Sequence, residues 1–146
     1  MTPEDLAIRN ATYHLFVELG RAPTTDEVGA SVGQGSDAVQ AGWQRLHEAH
    51  AVVLDDRGAL RMVNPFSAVA TSFVVDADRR RWFANCGWDA FGIGTLLGGD
   101  GTIHTTCADC EEALVIPVRD HRPAGPGAVW HVLVPARSWW NDIGFT

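Results

Sequence analysis

Cys86 and Asp89 are the residues of this chain whose types and spacing are best suited to chemistry. They stand three positions apart in an otherwise apolar and aromatic stretch, residues 82–91. If this stretch is helical, both side chains lie on one face, so a thiol adjoins a carboxyl group. A thiolate binds soft, thiol-seeking atoms, and a neighbouring carboxyl group can deliver a proton. The pattern therefore predicts a site for a thiol-seeking substrate that also needs a proton.

Two plainer interpretations of this pair stay open: a buried structural cysteine, and a solvated helix acid. Against them, Cys86 stands near the start of the predicted helix, where backbone N–H groups favour the thiolate. Three arginines, Arg79, Arg80 and Arg81, precede it closely in sequence. On this basis we expect Cys86 to be an activated thiol.

A second candidate is Cys107-x-x-Cys110, with His104 three residues before it. Structural zinc sites usually have four ligands, commonly from two such cysteine pairs, and the chain holds no second pair. A separate zinc or copper site would therefore need His104 and either His121 or Asp109. A β-turn that carries two free thiols is the alternative, and the missing second pair favours it.

The composition is that of one ordinary globular domain, or of two small ones that share a core. The chain has 146 residues, of which 46% are hydrophobic and 20% charged, and its formal net charge is −7. That charge argues against a nucleic-acid partner, since such binding depends on phosphate neutralisation. No apolar run is long enough to cross a membrane, and the acidic N-terminus is unlike a signal peptide. We expect a cytoplasmic protein with free thiols, without a membrane or nucleic-acid partner.

Residues 1–63 predict three helices followed by a β-hairpin, the pattern of a winged helix. Gly20 ends the first helix, and the capping box Thr24-x-x-Glu27 opens the second. The hairpin strands are expected at 52–54 and 60–62. The apolar residues expected to face the core from the first helix are Ile8, Leu15, Phe16 and Leu19. The third helix would begin at its cap, Ser36, and carry an apolar stripe of Val39, Trp43 and Leu46. The third helix offers DNA only one strong cation, Arg45, so we favour a packing role for this region.

Residues 64–146 predict a second region, which begins at Asn64-Pro65-Phe66. Residues 76–81 would be a charged lead-in to the Cys86 helix, which Gly98 and Gly99 would end, and residues 139–146 a helical turn that enters a strand. Strands are expected at 73–75, 102–106, 113–118 and 129–134. The predicted fold class is α+β: a winged-helix-like region packed on a mixed, mainly antiparallel sheet with a site-bearing helix.

Taken together, these motifs make the sequence similar to the organomercurial (alkylmercury) lyases over most of its length. The segments that carry the resemblance are Asn64-Pro65-Phe66-Ser67, Asp78-Arg79-Arg80, Cys86-x-x-Asp89, Leu96-Leu97-Gly98, His104-Thr105-Thr106-Cys107 and Val115-Ile116-Pro117-Val118. The resemblance implies protonolysis of a carbon–mercury bond, R–Hg⁺ to R–H and Hg²⁺, without an organic cofactor. Cys86 would capture the mercury and hold it together with Asp89, Asp89 would also relay the proton, and cellular thiols would accept the Hg²⁺.

The chain departs from this family at one point. A second catalytic cysteine is expected in the strand after Trp139 and Trp140, and the chain ends at Thr146 without one. A chain truncated before that cysteine is one interpretation. A non-catalytic protein that binds Hg²⁺ or Cu⁺ through Cys86, Cys107 and Cys110 is another. Trp88, Trp139 and Trp140 would line an apolar pocket at the site or belong to an ordinary core.

Overall fold

The protein begins with three helices whose ends follow from local sequence signals. The computed structural model describes residues 1–125, 127, 129 and 131–144. The helices are α1 (Pro3–Leu19), α2 (Thr25–Val32) and α3 (Ser36–Glu48). Thr2 and Thr24 cap α1 and α2 through reciprocal capping boxes. Gly20 and Gly33 end these helices at φ values of 70° and 71°, a conformation that glycine adopts without strain. The capping box at Thr24 and the stop at Gly20 are thus confirmed.

Two details of the helices differ from expectation. The N-cap of α3 is Gly35, which makes no side-chain cap, and Ser36 is the first helical residue. Leu19 is 40% exposed, because the buried stripe of α1 runs through Ile8 and Phe16 instead. The predicted stripe of α3 is confirmed, since Val39, Trp43 and Leu46 are all buried.

The strands that follow form one eight-stranded sheet in the order β1-β2-β3-β5-β4-β6-β7-β8. They are β1 (Val53–Leu54), β2 (Leu60–Val63), β3 (Phe66–Ser67), β4 (Phe73–Ala77), β5 (Arg80–Ala84), β6 (Gly101–Thr106), β7 (Ala113–Arg119) and β8 (Arg122–Pro123). Helix α4 (Gly87–Leu96) follows β5 and packs on β4, β5 and β6. The fold is α+β as predicted, and every strand pairing that the structure describes is antiparallel.

The charged segment 76–81 is a hairpin rather than a lead-in to a helix. Strands β4 and β5 meet at Asp78 and Arg79, whose φ values of 44° and 61° make the tight turn. Asp76 lies directly opposite Arg81 in the register, and the guanidinium donates to the carboxylate at 2.6 and 2.7 Å. Opposite charges that face each other across two strands stabilise the pairing, which the sequence pattern did not reveal.

Strand β3 is a second element that the sequence did not predict. It comes directly after Pro65 and pairs with β2 through Val63 and Phe66, so the sheet continues across the expected boundary at residue 64. Phe66 is fully buried, and its ring lies 5.1 Å from Phe16 and 6.3 Å from Trp82. Burial of an aromatic side chain of this size contributes about 1.5–3 kcal/mol. These contacts join α1 to the strands that lead into Cys86.

The strand expected at 129–134 is not formed by the described residues of that segment, 129 and 131–134. Val129 and Leu133 are 83% and 79% exposed, so the apolar run has no buried face on which a strand could pack. A 3₁₀ helix (Ala136–Asn141) follows, which agrees with the expected helical turn. The strand after it would fall partly on residues 145 and 146, outside the described part. No helix among the described residues is long and apolar enough to cross a membrane.

Candidate active site

Cys86 is placed by the junction between β5 and α4. It is the N-cap residue of α4, in an extended conformation, and Asp89 is the third residue of the helix. The Cys86 Sγ lies 3.5 Å from Asp89 Oδ2, within hydrogen-bond distance for a thiol donor. The two side chains occupy the positions of a capping box, with a thiol where serine or threonine is usual. The predicted adjacency is therefore present, although the helix begins only at Gly87 and residues 82–84 belong to β5.

The thiol of Cys86 is not activated in the way that the sequence suggested. Burial raises its pKa above the ordinary value, and the negative charge of Asp89 adds to this rise. The backbone N–H groups of Asp89 and Trp88 act in the opposite direction without reversing it. The arginines have other partners: Arg81 binds Asp76, and Arg80 donates to the carbonyl oxygen of Val17 at 2.9 Å. The expected activation by these arginines is wrong, because β5 separates them from Cys86.

Asp89 is held in conditions that favour its protonated form. Burial raises the pKa of its carboxyl group, while hydrogen bonds from Asn85 and Cys86 partly offset the rise. A carboxyl group whose pKa is raised can accept a proton from a thiol and return it at a pH closer to neutral. The Cys86 sulfur and the Asp89 oxygen are already within hydrogen-bond distance. The pair is thus suited to proton transfer between sulfur and oxygen.

Two asparagines and a tyrosine form a chain of hydrogen bonds that ends at Asn85, the residue before Cys86, and this arrangement was not predicted. Tyr13 of α1 donates its hydroxyl to the carbonyl oxygen of Asn64 at 2.9 Å. The Asn85 amide donates to Asn64 Oδ1 at 3.1 Å. Burial raises the pKa of Tyr13, and the charge of Asp89 contributes to the rise. Tyr13 and Asn64 are 51 residues apart, and a tyrosine on a helix gives no signal of such a contact. Asn85 could have been noticed as a polar residue within an apolar run.

His104 does not extend the candidate metal site that the sequence suggested. Its Nε2 lies 3.1 Å from Asp76 Oδ2, on the same sheet face as the Arg81 contact. Hydrogen bonding from Arg81, with a smaller contribution from His104, lowers the pKa of Asp76. Cys107 and Cys110 lie in the turn after β6. Within the described residues, no three His, Cys, Asp or Glu side chains are grouped so that they could hold a metal ion. A three-ligand site from His104, Cys107 and Cys110 is therefore not assembled.

The three tryptophans considered for an apolar pocket, Trp88, Trp139 and Trp140, have different surroundings. Trp140 stacks on His50, with ring centroids 4.1 Å apart and planes 7° apart. Trp139 Nε1 donates to the carbonyl oxygen of Val134 at 2.7 Å. Trp88 lies on the first turn of α4 beside Cys86 and is 58% exposed. The stack on His50 places the 3₁₀ helix against the end of α3.

Comparison with known proteins places this geometry in a family. The model of the alkylmercury lyase family matches residues 66–146, which include Cys86 and Asp89. Among solved structures, one described as "Crystal structure of the mercury-bound form of MerB2" superposes with a TM-score of 0.68 at 22% sequence identity. The match covers 86% of this chain and 60% of that one, so the chain spans less than two thirds of the length of that structure. No curated protein matches the sequence. Since the family model covers more than half of the residues, the chain belongs to the alkylmercury lyase family.

Proposed function

We propose that the protein cleaves carbon–mercury bonds by protonolysis, with Cys86 as the residue that binds mercury and Asp89 as the proton relay. The observation that carries this proposal is the 3.5 Å contact between Cys86 Sγ and Asp89 Oδ2 inside the segment that the family model matches. The substrate is a monosubstituted organomercury cation, R–Hg⁺. The products are the hydrocarbon R–H and Hg²⁺.

In the first step the sulfur of Cys86 bonds to mercury. The substrate replaces the thiol proton, which passes to Asp89 and leaves a neutral carboxylic acid beside a Cys–S–Hg–R adduct. Partial burial disfavours the ionised carboxylate, so Asp89 accepts this proton readily. Capture by a soft thiolate is selective for soft metals such as mercury over harder cations.

In the second step Asp89 returns the proton to carbon. The carbon–mercury bond breaks, its electron pair takes the proton, and R–H leaves. Mercury stays on Cys86 as Cys–S–Hg⁺. Two small thiols then remove it as Hg(SR′)₂, with one proton restored to Cys86 and one released. Asn85 supports this cycle as a positioning residue, because its amide joins the Asn64 loop to the Cys86–Asp89 pair.

The test is the release of benzene from phenylmercury by the 146-residue protein in the presence of excess small thiol. We expect many equivalents of benzene per protein and no turnover with Cys86→Ser. Asp89→Asn should still take up mercury but release benzene roughly 10²–10⁴-fold more slowly, the usual contribution of a positioned acid–base group. Asp37→Asn is the matched control, since Asp37 is an exposed acid in the first turn of α3.

A protein that binds mercury without turnover is the second candidate. The observation behind it is that Cys86 and Asp89 have no third metal-ligating side chain grouped with them among the described residues. Mercury bound stoichiometrically by the parent protein, with no benzene released, would support this candidate and rule out the lyase. Full turnover by Cys86→Ser would rule out both roles for Cys86.

A further inference from the structure

The connection between β6 and β7 is a short loop that holds two thiols side by side. The backbone N–H of Cys107 donates to the carbonyl oxygen of Glu112 at 2.9 Å, and that of Glu111 donates to the carbonyl oxygen of Cys107 at 3.0 Å. The second bond joins residues i and i+4 and forms a single helical turn. Side chains at i and i+3 of such a turn are neighbours, so the loop places Cys107 and Cys110 together.

We propose that Cys107 and Cys110 form a second soft-metal site, distinct from Cys86 and Asp89, which binds a thiophilic cation such as Hg²⁺ through its two sulfurs alone. The coordination number follows from the surroundings of the loop. His104, the nearest expected third ligand, is held by Asp76, and no three-ligand group occurs in the described part of the chain. Structural zinc sites need four ligands, whereas Hg²⁺ and Cu⁺ accept two thiolates in a linear arrangement. The site therefore excludes zinc by ligand count.

Exposure and charge at the loop agree with capture of a cation from solution. Cys110 is exposed and Cys107 half-buried. Asp109, Glu111 and Glu112 give the loop a negative charge that attracts cations. The loop thus differs from the half-buried Cys86, whose sulfur lies 3.5 Å from a single carboxyl group.

Binding at this site involves no change of oxidation state. Two thiols and Hg²⁺ give one S–Hg–S unit and two protons, which pass to solvent. Neither Cys86 nor carbon–mercury cleavage takes part, so the site stands independently of the lyase activity. The advantage over two free thiols is that the second sulfur is already in place, at an effective concentration in the millimolar range.

The experiment uses the full chain with Cys86→Ser, which leaves Cys107 and Cys110 as its only thiols. Hg²⁺ is added at one equivalent, and the protein is passed through a desalting column in about 20 µM glutathione, a concentration far below the effective concentration of the second sulfur. We expect one Hg²⁺ per monomer by native mass spectrometry and the loss of both thiols to a thiol reagent. The same variant with Cys110→Ser or with Cys107→Ser should lose most of its mercury.

Equal retention of mercury by the two-thiol protein and both one-thiol variants would overturn the proposal. So would a mass that shows mercury bridging two chains. Far-UV circular dichroism of the Cys110→Ser protein verifies folding, which we expect to be unchanged because this side chain is exposed. Failure of benzene release leaves these results untouched, since Cys86 is absent throughout.

Discussion

Replacement of Thr12 by valine should lower the free energy of unfolding by about 1–3 kcal/mol, the cost of a buried donor left without a partner. Thr12 is fully buried, and its hydroxyl donates to the carbonyl oxygen of Ile8 at 2.8 Å. The Thr12 hydroxyl oxygen in turn accepts a hydrogen bond from the indole N–H of Trp43 at 2.9 Å. Valine has nearly the same shape, so no cavity forms. The Ile8 carbonyl keeps its place in the helical ladder. The indole N–H of Trp43 is therefore the one group left unpaired.

The assay is urea and thermal unfolding of four proteins: the parent, Thr12→Val, Trp43→Phe and the double variant. The melting temperature of Thr12→Val should fall by roughly 3–10 °C. In the Trp43→Phe background the same change should cost much less, because no indole N–H remains to be orphaned. An equal cost in both backgrounds would refute the assignment of the loss to this hydrogen bond. The bond ties α1 to α3, and α1 also carries Tyr13, which donates to the carbonyl oxygen of Asn64.

Three shorter predictions address the site and the helices around it. Asp89→Asn should stabilise the fold at pH 7. Burial raises the pKa of Asp89 in the folded protein, so the carboxyl group stabilises the fold most below the pKa that it has in the unfolded chain, and this contribution is lost as the pH rises through the folded pKa. Asparagine carries no charge at any of these pH values and does not lose this contribution. Urea titrations at pH 3.5 and 7 test this, and a gain that is larger at pH 3.5 would contradict it. Iodoacetamide should modify Cys107 faster than Cys86 at pH 7, because the pKa of Cys107 is lowered and that of Cys86 is raised. Peptide mapping that finds Cys86 modified first would refute this. Gly29→Ala should cost about 1–3 kcal/mol, because its Cβ would lie 2.5 Å from a backbone oxygen. At Gly94 an added Cβ meets nothing within 4 Å, so Gly94→Ala should instead stabilise the fold by about 0.5–1 kcal/mol. Thermal melts in which both alanine variants shift the melting temperature in the same direction would contradict these two predictions.

The parts of the fold that were predicted correctly depend on interactions within a few residues. The capping box at Thr24, the stop at Gly20 and the stripe of α3 are set by hydrogen bonds and periodicity inside one element. The contact between Cys86 and Asp89 belongs to the same class, because three positions at a helix start fix their separation whatever surrounds them. The sequence by itself therefore determined the helices, the α+β class and the contact between Cys86 and Asp89.

Other features depended on where distant segments meet. Val129 and Leu133 have the pattern of a strand, but a strand also needs a partner and a buried face, which they lack. Arg80 and Arg81 precede Cys86 in sequence, yet an extended strand carries them away from it. Tyr13 and Asn64 join the site across 51 residues. The tertiary structure alone decided the direction in which the pKa values of Cys86 and Asp89 shift. Desolvation depends on all the neighbours that pack around a group, and a linear sequence does not specify them.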